Sequence, residues 1–298
     1  MRRDHDFDVW MSRQLASVEA ALGRWVPEEA PAGLSEAMRY GVLDGGKRLR
    51  PLLVLAAAEA AGARDSDAAM RAACAVELIH AYSLIHDDMP CMDNDVLRRG
   101  KPTVHVKFGE ALAMLAGDAM QALAFEVLTP TDGSIEPALQ ARLVALLARA
   151  AGQHGMAGGQ AIDLASVGQP LDESALADMH RRKTGALLQA SVVMGAACGR
   201  LDAAAARALA DYGAAIGLAF QVVDDILDAT QGSDTLGKTA GKDAGNNKPT
   251  YVTVLGLAAA REHARALHAR AQQALARSGL TDAAWLSLLA DRVVERDS

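Results

Sequence analysis

The sequence is poor in cysteine, and that shortage excludes two classes of protein. Only 3 of the 298 residues are cysteine, and no two of them form a CxxC pair. Their odd number and wide spacing argue against a disulfide framework and against a cysteine-rich zinc site, and favour a reducing compartment. We therefore expect a cytoplasmic protein.

The sequence also lacks a recognisable secretory signal, a long apolar run and a positive net charge. Its first ten residues, MRRDHDFDVW, are charged where a signal peptide needs an apolar core. No unbroken apolar run reaches the roughly 18 residues of a membrane span. The formal net charge of −7 gives no overall attraction to nucleic acid. We expect a soluble protein with no membrane span and no nucleic-acid partner.

Aromatic residues make up only 4% of the chain, and β-branched residues are sparse as well. Alanine, leucine, arginine and glutamate dominate instead, so helix propensity is high almost everywhere. Apolar residues recur every three or four positions over 137–151, 201–231 and 253–277, without the alternation of strands. No break between these segments is long enough for an interdomain linker. The sequence predicts an all-α helical bundle, with residues 1–298 as a single domain.

One short stretch concentrates charge of both signs. LIHDDMPCMDNDVLRRG, residues 84–100, contains four aspartates and two arginines. Pro90 predicts that the preceding helix ends near Asp87 and Asp88, where the helix dipole disfavours negative charge. After Pro90 the chain can curl back and bring Asp93 near them. Because this placement of Asp87 and Asp88 is unfavourable for stability, we expect a partner that offsets their negative charge.

A second acidic cluster, FQVVDDILD at residues 220–228, interrupts an otherwise apolar helix. Helical spacing places Gln221, Asp224 and Asp228 along one face. Carboxylates at close range repel by roughly 4 kcal/mol per pair at an effective dielectric near 20, so a cavity shared by both clusters requires cations. Carboxylates on rigid helices suit Mg²⁺, which keeps positions for water and substrate phosphate. The alternative is two solvated acidic faces.

Basic residues near these clusters could bind phosphate groups. In GVLDGGKRLRP, residues 41–51, the glycines permit close backbone approach, while Lys47 and Arg50 supply donors. The sequence does not favour a nucleotide P-loop, because Arg48 stands where Ser or Thr would bind magnesium and no predicted strand precedes it. His80 lies two turns before Asp87 on the same helix face. Further donors are Arg98, Arg99, Lys183, Thr184, Lys238, Lys242 and Lys248.

In their order along the chain, these motifs resemble those of the trans-polyprenyl diphosphate synthases, and most of all the bacterial farnesyl diphosphate synthases. The matching motifs are GGKRLRP, DDMPCMD with NDVLRRGKPTVH, KTG, FQVVDDILD, and TLGKTAGKD with KPTY, over residues 41–251. The resemblance implies a homodimer with the isoprenoid synthase fold, a central cavity and acidic motifs on opposite walls. Three Mg²⁺ ions, or Mn²⁺ in their place, would bridge those motifs to an allylic diphosphate.

The resemblance also assigns roles to individual residues. The metal-associated acids would be Asp87, Asp88, Asp93, Asp224, Asp225 and Asp228. The residues that act on the allylic diphosphate would be Arg98, Lys183, Thr184, Gln221 and Lys238. Isopentenyl diphosphate would be held by Gly46, Lys47, Arg50, His80 and Arg99, and Lys248 would be a further substrate-binding residue.

The implied reaction condenses isopentenyl diphosphate with dimethylallyl and geranyl diphosphates to give (E,E)-farnesyl diphosphate. Tyr82 and Ser83, just below the first acidic motif, would limit the product to fifteen carbons. A geranylgeranyl diphosphate synthase stays open as the alternative, and a non-catalytic subunit of a heteromeric prenyltransferase is less favoured because both acidic motifs are complete. A terpene cyclase is disfavoured, because such an enzyme binds no second diphosphate for Lys47, Arg50, His80 and Arg99 to hold. Val96, Val252 and Arg292 depart from the family pattern.

Overall fold

The computed structural model describes residues 2–43, 45–64, 66–169, 171–230 and 249–295, and almost all regular structure within them is helical. The predicted all-α class is confirmed. The α-helices are α1 (Arg2–Trp25), α2 (Leu34–Val42), α3 (Leu49–Ala60), α4 (Asp67–Asp87), α5 (Val104–Phe108), α6 (Glu110–Leu128), α7 (Pro137–Ala151), α8 (Met156–Ala165), α9 (Glu173–His180), α10 (Ala186–Ala197), α11 (Ala203–Thr230), α12 (Tyr251–Leu255), α13 (Leu257–Ser278) and α14 (Ala284–Val294).

Shorter elements join some of these helices. A 3₁₀ turn (Pro31–Gly33) precedes α2, and a π-helix (Arg181–Gly185) continues α9 directly into α10. Strands β1 (Leu97–Arg98) and β2 (Lys101–Pro102) form a two-residue antiparallel hairpin. Its turn residues, Arg99 and Gly100, have φ of 52° and 74°, the left-handed backbone that a tight hairpin turn requires. The helical pattern did not predict this hairpin.

Capping residues explain where several helices begin. The side chains of Ser66 and Asp172 accept hydrogen bonds from backbone N–H groups in the first turns of α4 and α9. Thr250 and Thr253 form a reciprocal capping box at the start of α12. Each cap satisfies a backbone donor that a helix start leaves without an intrahelical partner.

The core centres on α4 and α11. Helix α4 packs against α3, α6 and α10, while α11 packs against α10 and α13. The buried apolar residues form one cluster that draws on both ends of the chain, from Phe7 to Val293. In that cluster the rings of Trp10 and Trp285 stack with centroids 5.4 Å apart, which joins α1 to α14. Both acidic motifs are therefore carried by helices that the core holds rigidly.

Helices α4 and α6 are each long and apolar enough to cross a membrane by length and composition alone. That is weak evidence, because the core helix of a soluble protein passes the same test. In the most apolar window of α4, 67% of residues are buried, as a core helix should be. The corresponding share for α6 is 39%, so part of its apolar surface remains exposed.

Candidate active site

The first acidic wall forms where α4 ends. The helix stops at Asp87, and Asp88 is its C-cap, as the position of Pro90 predicts. The backbone N–H of Asp93 then donates to the carbonyl of Asp87 (2.8 Å), and the N–H of Asp95 donates to that of Asp88 (3.0 Å). The predicted curl after Pro90 is confirmed, and it brings the backbone of Asp93 against the end of the helix.

The carboxyl of Asp87 lies in an electrostatically unfavourable place. Burial raises the pKa of Asp87 to about 6, and the charges of Asp93 and Asp88 add to the rise, although Lys183 and Arg98 oppose it. Ionised carboxylates are therefore crowded into a poorly hydrated volume with too little compensating charge. A bound cation would relieve this crowding.

Asp88 and Arg98 form a close ion pair. The guanidinium of Arg98 donates from Nε to both oxygens of Asp88 (3.1 and 2.8 Å) and from Nη2 to Oδ1 (2.6 Å). Arg98 is held in place by the β1–β2 hairpin, so the hairpin aims this arginine back at the end of α4. The acids and bases of residues 84–100 thus act on one small region.

The second acidic wall is the C-terminal part of α11. Asp224, Asp228 and Gln221 are partly exposed, whereas Asp225 is buried. The carboxylate of Asp225 accepts hydrogen bonds from Gln221 Nε2 (2.9 Å) and from the backbone N–H of Tyr251 (2.7 Å). One member of the predicted metal-binding set therefore has an environment unlike that of its neighbours.

The π-helix Arg181–Gly185 carries Lys183 and Thr184 between the two walls. Lys183 Nζ donates to the buried Asp163 of α8 (2.7 Å), and Thr184 Oγ1 donates to Gln221 Oε1 of α11 (3.0 Å). The charge of Lys183 also acts on Asp87 of the first wall. Single π-turns inside α-helices are frequent at functional sites. The short KTG motif is therefore the point where both acidic walls and α8 meet.

Glycines allow this close packing. A Cβ atom on Gly159 of α8 would lie 2.1 Å from the backbone nitrogen of Lys183, and one on Gly217 of α11 would lie 2.8 Å from the Cα atom of Gly185. Separations this short are not tolerated by real side chains, so both positions require glycine. The π-helix is thereby held against α8 and α11 at backbone distance.

A second cluster of basic groups lies around His80 on α4. Burial lowers the pKa of His80 well below its usual value, and the charges of Arg50 and Arg99 lower it further. Burial also lowers the pKa of Arg50 to about 10. Arg99 Nη1 donates to the carbonyl of Gly45 (2.9 Å) and lies beside Gly46, where a Cβ atom would approach it to 3.0 Å. Such a concentration of positive charge suits a multivalent anion.

The Gly45–Lys47 loop is anchored by a residue that the sequence did not single out as functional. Arg48 is buried with a left-handed φ of 46°, and its guanidinium donates to Glu77 on α4 (2.7 Å) and to Glu19 on α1 (2.8 Å). Lys47 lies on the exposed side of that loop. These ion pairs thus fix the backbone at Arg48, and with it the position of the neighbouring Lys47.

The two residues predicted to set product length, Tyr82 and Ser83, lie on different faces of α4. On an ideal helix Ser83 is displaced by about 40° from Asp87 and Tyr82 by about 140°. Ser83 therefore shares the face of the acidic motif, with its hydroxyl donating to the carbonyl of His80 (2.8 Å). The ring of Tyr82 meets that of His86 edge-on at 5.7 Å, and its hydroxyl lies near the side chain of Gln121 on α6.

Sequence reasoning missed the residues that support these groups from other helices. Asp163 holds Lys183 across 20 positions, and Glu77 holds Arg48 across 29 positions. The run GGQAIDL around Asp163 carries an acid inside an apolar segment, a signal that could have been noticed. The predicted Lys238 and Lys248, with Lys242, lie outside the described residues.

The acids present fit magnesium that is bound together with a substrate. No group of three or more His, Cys, Asp or Glu side chains in the described part of the chain is already gathered around a single ion position. Mg²⁺ is commonly held by one or two carboxylates plus substrate phosphate rather than by an all-protein cage. The desolvated Asp87 and the partly exposed Asp224 and Asp228 are oxygen donors of that kind.

Comparisons with known proteins identify the family of this chain. A family model described as polyprenyl synthetase matches residues 31–284. A farnesyl diphosphate synthase of Geobacillus stearothermophilus is 47% identical over 97% of this chain and 98% of its own length. The chloroplastic geranylgeranyl pyrophosphate synthase 9 of Arabidopsis thaliana is 48% identical over 98% of this chain and 82% of its own length.

Solved structures show the same architecture. An apo FPP/GFPP synthase from Zymomonas mobilis superposes with a TM-score of 0.86 at 42% identity, over 97% of this chain and 99% of that one. A geranyltransferase from Helicobacter pylori, complexed with magnesium and isoprenyl diphosphate, has a TM-score of 0.83 at 34% identity, over 96% of this chain and 95% of that one.

Proposed function

The chain belongs to the polyprenyl synthetase family and is a prenyltransferase, and on that premise we propose that it makes (E,E)-farnesyl diphosphate. The substrates would be isopentenyl diphosphate with dimethylallyl and then geranyl diphosphate. The observation that carries this proposal is the position of Lys183 and Thr184, on a π-helix whose groups interact with both acidic walls. We take the whole chain to be one catalytic domain that works in the cytoplasm.

Two walls of opposed carboxylates would hold metal ions on the allylic diphosphate. We assign Asp87, Asp88, Asp93, Asp224 and Asp228 to three Mg²⁺ ions, with Mn²⁺ as an alternative. When bound, the metal supplies charge that stabilises the departing diphosphate. Lys183 and Arg98 would add donors to the same oxygens, so that the allylic carbon–oxygen bond breaks heterolytically.

The second diphosphate, that of isopentenyl diphosphate, would lie among Gly46, Lys47, Arg50, His80 and Arg99. Burial lowers the pKa of His80 and keeps its ring neutral in the free protein. The negative charge of a bound diphosphate would act in the opposite direction and favour protonation of the ring. The double bond of isopentenyl diphosphate then attacks the allylic cation, and the new carbon–carbon bond forms. Loss of a proton to the departed diphosphate restores an alkene, and no side-chain nucleophile is required. Thr184 and Gln221 would orient the reacting groups, with Lys238 and Lys248 as further diphosphate ligands.

Product length is argued from the helix below the first acidic wall. The ring of Tyr82 and the Ser83 side chain lie within two turns of Asp87, where a lengthening prenyl tail would pass. The alternative, a geranylgeranyl product, is favoured by two specific observations. The Tyr82 hydroxyl lies near Gln121 of α6, and a geranylgeranyl pyrophosphate synthase is 48% identical to this chain.

One product assay tests the proposal. The purified chain would be incubated with Mg²⁺, labelled isopentenyl diphosphate and dimethylallyl diphosphate, and the products dephosphorylated and separated by chain length. We expect a dominant fifteen-carbon alcohol. A dominant twenty-carbon product would instead establish the alternative, and no chain elongation by the isolated protein would contradict both.

A substitution at Tyr82 tests directly whether its ring forms the floor of the cavity, which would stop the growing prenyl chain. We expect Tyr82→Ala to shift the main product from fifteen to twenty carbons, since loss of the ring opens space beside α6. Tyr82→Phe is the matched control, because it keeps the ring and loses only the hydroxyl near Gln121. An unchanged fifteen-carbon product from Tyr82→Ala would place the floor elsewhere.

We also propose that the protein is a homodimer, joined through the exposed side of α6. Met114 and Leu115 on this helix remain 38% and 54% exposed, on a helix that is otherwise strongly apolar. Exposed apolar surface of this kind is typical of a contact with another protein surface.

A further inference from the structure

Asp225 differs from the other acids of its motif in what its oxygens bind. It is only 4% exposed, while Asp224 and Asp228 on either side of it along α11 are partly exposed. Its Oδ1 accepts a hydrogen bond from Gln221 Nε2 (2.9 Å), and its Oδ2 accepts one from the backbone N–H of Tyr251 (2.7 Å). Both carboxylate oxygens therefore bind protein donors, and one of these donors is a main-chain group. The buried Asp88 differs in this respect, because among the described residues its oxygens are bound only by the Arg98 side chain, which would turn to the allylic diphosphate when substrate binds.

The bond to Gln221 fixes which way its amide points. An ionised carboxylate only accepts hydrogen bonds, so Asp225 can face the NH₂ end of the amide and not its oxygen. The amide oxygen is then directed at Thr184, whose hydroxyl donates to it at 3.0 Å. Because a hydroxyl can donate or accept, Thr184 could not set this orientation by itself. The direction of the Thr184 proton thus depends on Asp225.

The bond to Tyr251 links the same carboxylate to a third element. Tyr251 begins α12, is fully buried, and stacks its ring between His180 (centroids 5.5 Å apart) and His263 (5.4 Å apart). His180 is the last residue of α9, immediately before the π-helix. Its ring is 3.8 Å from Asp225, too far for a hydrogen bond. Asp225 therefore joins α11, α12 and, through Gln221, the π-helix.

We propose that Asp225 is a positioning residue, which fixes the Gln221 amide against Thr184 and seats Tyr251, and that it is not a ligand of the metal ions. The inference rests on the proposed function and revises the role expected for Asp225 from the family resemblance. Asp224 and Asp228 keep their assignment as metal ligands on this wall.

The variant Asp225→Asn separates the two roles. If the oxygen of the new amide keeps the hydrogen bond from Tyr251, its NH₂ group faces Gln221. The Gln221 amide must then turn over and present its own NH₂ group to Thr184. The Thr184 hydroxyl then loses its acceptor, while packing changes little. We expect kcat to fall by about 10- to 100-fold, the range for misplaced active-site groups. The KM for isopentenyl diphosphate should stay within about threefold of the wild-type value, since Arg50, His80 and Arg99 are untouched.

Metal binding is measured without catalysis, with Asp224→Asn as the matched control. Bound Mn²⁺ would be counted by electron paramagnetic resonance in the presence of inorganic diphosphate. Asp225→Asn should bind as many ions as the wild type with similar affinity, whereas Asp224→Asn should bind fewer ions or bind them at least about tenfold more weakly. An equal loss in both variants would make Asp225 a ligand and overturn the inference.

A reversed pair tests the contact between Gln221 and Asp225 directly. Gln221→Glu alone places two carboxylates face to face and should lower Tm. Adding Asp225→Asn restores a donor opposite an acceptor, so the double variant should unfold several degrees above Gln221→Glu. Strictly additive changes in Tm would show that the contact does not exist.

The outcomes for the two proposals are distinguishable. A wild-type protein without condensing activity would refute the proposed function, while the Tm comparison would still decide the contact. Wild-type kcat in Asp225→Asn would refute the positioning role even if the contact exists. Unaltered Mn²⁺ binding in both variants would refute the assignment of Asp224 and leave Asp225, as we propose, outside the metal site.

Discussion

At the scale of single residues, Asp87 lowers the stability of the folded protein at a place where its negative charge is needed to bind a cation. Asp87 ends a helix, is largely buried and has two further aspartates beside it, so that its pKa rises to about 6. The helix dipole and desolvation both disfavour its ionised form. Such a carboxylate destabilises the empty protein at neutral pH and becomes favourable when a cation binds.

The first prediction concerns this carboxyl in the metal-free protein. Its pKa of about 6 when folded exceeds the usual 3.8, so the folded chain binds more protons between those values. The contribution of Asp87 to stability is therefore most favourable below pH 4, falls as pH rises from 4 to 6, and stays lower above 6. We expect Asp87→Asn to raise Tm at pH 7.5 by an amount equivalent to at most about 3 kcal/mol, and to change it little near pH 4.

Thermal unfolding in EDTA across that pH range measures this effect. The exposed Asp282 provides the control, because Asp282→Asn should alter Tm far less at every pH. A Tm for Asp87→Asn at pH 7.5 equal to or below that of the wild type would show that the Asp87 carboxylate is not strained.

At the scale of elements, the local signals were readable from the sequence and the long-range ones were not. Pro90 predicted the end of α4, and helical spacing placed Gln221, Asp224 and Asp228 on one side of α11. The π-helix at Lys183 had no local signal, because it depends on how the chain packs against α8 and α11. Asp163 and Glu77 were missed for the same reason: each contacts a residue at least 20 positions away.

The second prediction tests the contact between α8 and the π-helix. Because a Cβ atom on Gly159 would lie 2.1 Å from the nitrogen of Lys183, Gly159→Ala must push the two elements apart. We expect a loss of stability of about 1–3 kcal/mol, as for other overpacked sites, and a fall in kcat of at least about tenfold as Lys183 is displaced.

Denaturant unfolding and steady-state kinetics provide both measurements. Gly23→Ala is the control, since Gly23 lies in α1 with no atom within 4 Å of an added Cβ, and it should be neutral or stabilising by up to about 1 kcal/mol. If Gly159→Ala behaves like Gly23→Ala, the close approach of α8 is not required.

At the scale of the whole molecule, one core supports both walls. Residues from α1 and α14 meet in it, and Arg292, a departure from the family pattern, donates to Asp8 at 2.9 Å. Both partners of that pair are more than half exposed, so it contributes little to stability. The apolar side of α6 is different, because it leaves large side chains in water.

The third prediction concerns the oligomeric state. We expect light scattering after size exclusion to give twice the monomer mass of 31.2 kDa, and Leu115→Asp to shift the protein toward the monomer. Leu164→Asp on α8 is the control, since Leu164 is also exposed (40%) but belongs to a helix that packs mainly against α9 and the π-helix. A wild-type monomer, or dimers that persist in Leu115→Asp, would contradict a dimer joined through this helix.

The central claim is that two acidic walls, joined through Lys183, perform metal-dependent prenyl transfer. The most direct test measures diphosphate release and carbon–carbon bond formation by the purified protein, with geranyl and isopentenyl diphosphates, in Mg²⁺ and in EDTA. The account predicts one diphosphate released for each bond formed in Mg²⁺ and no reaction in EDTA. Bond formation at an equal rate in EDTA, or diphosphate release in Mg²⁺ without bond formation, would contradict it.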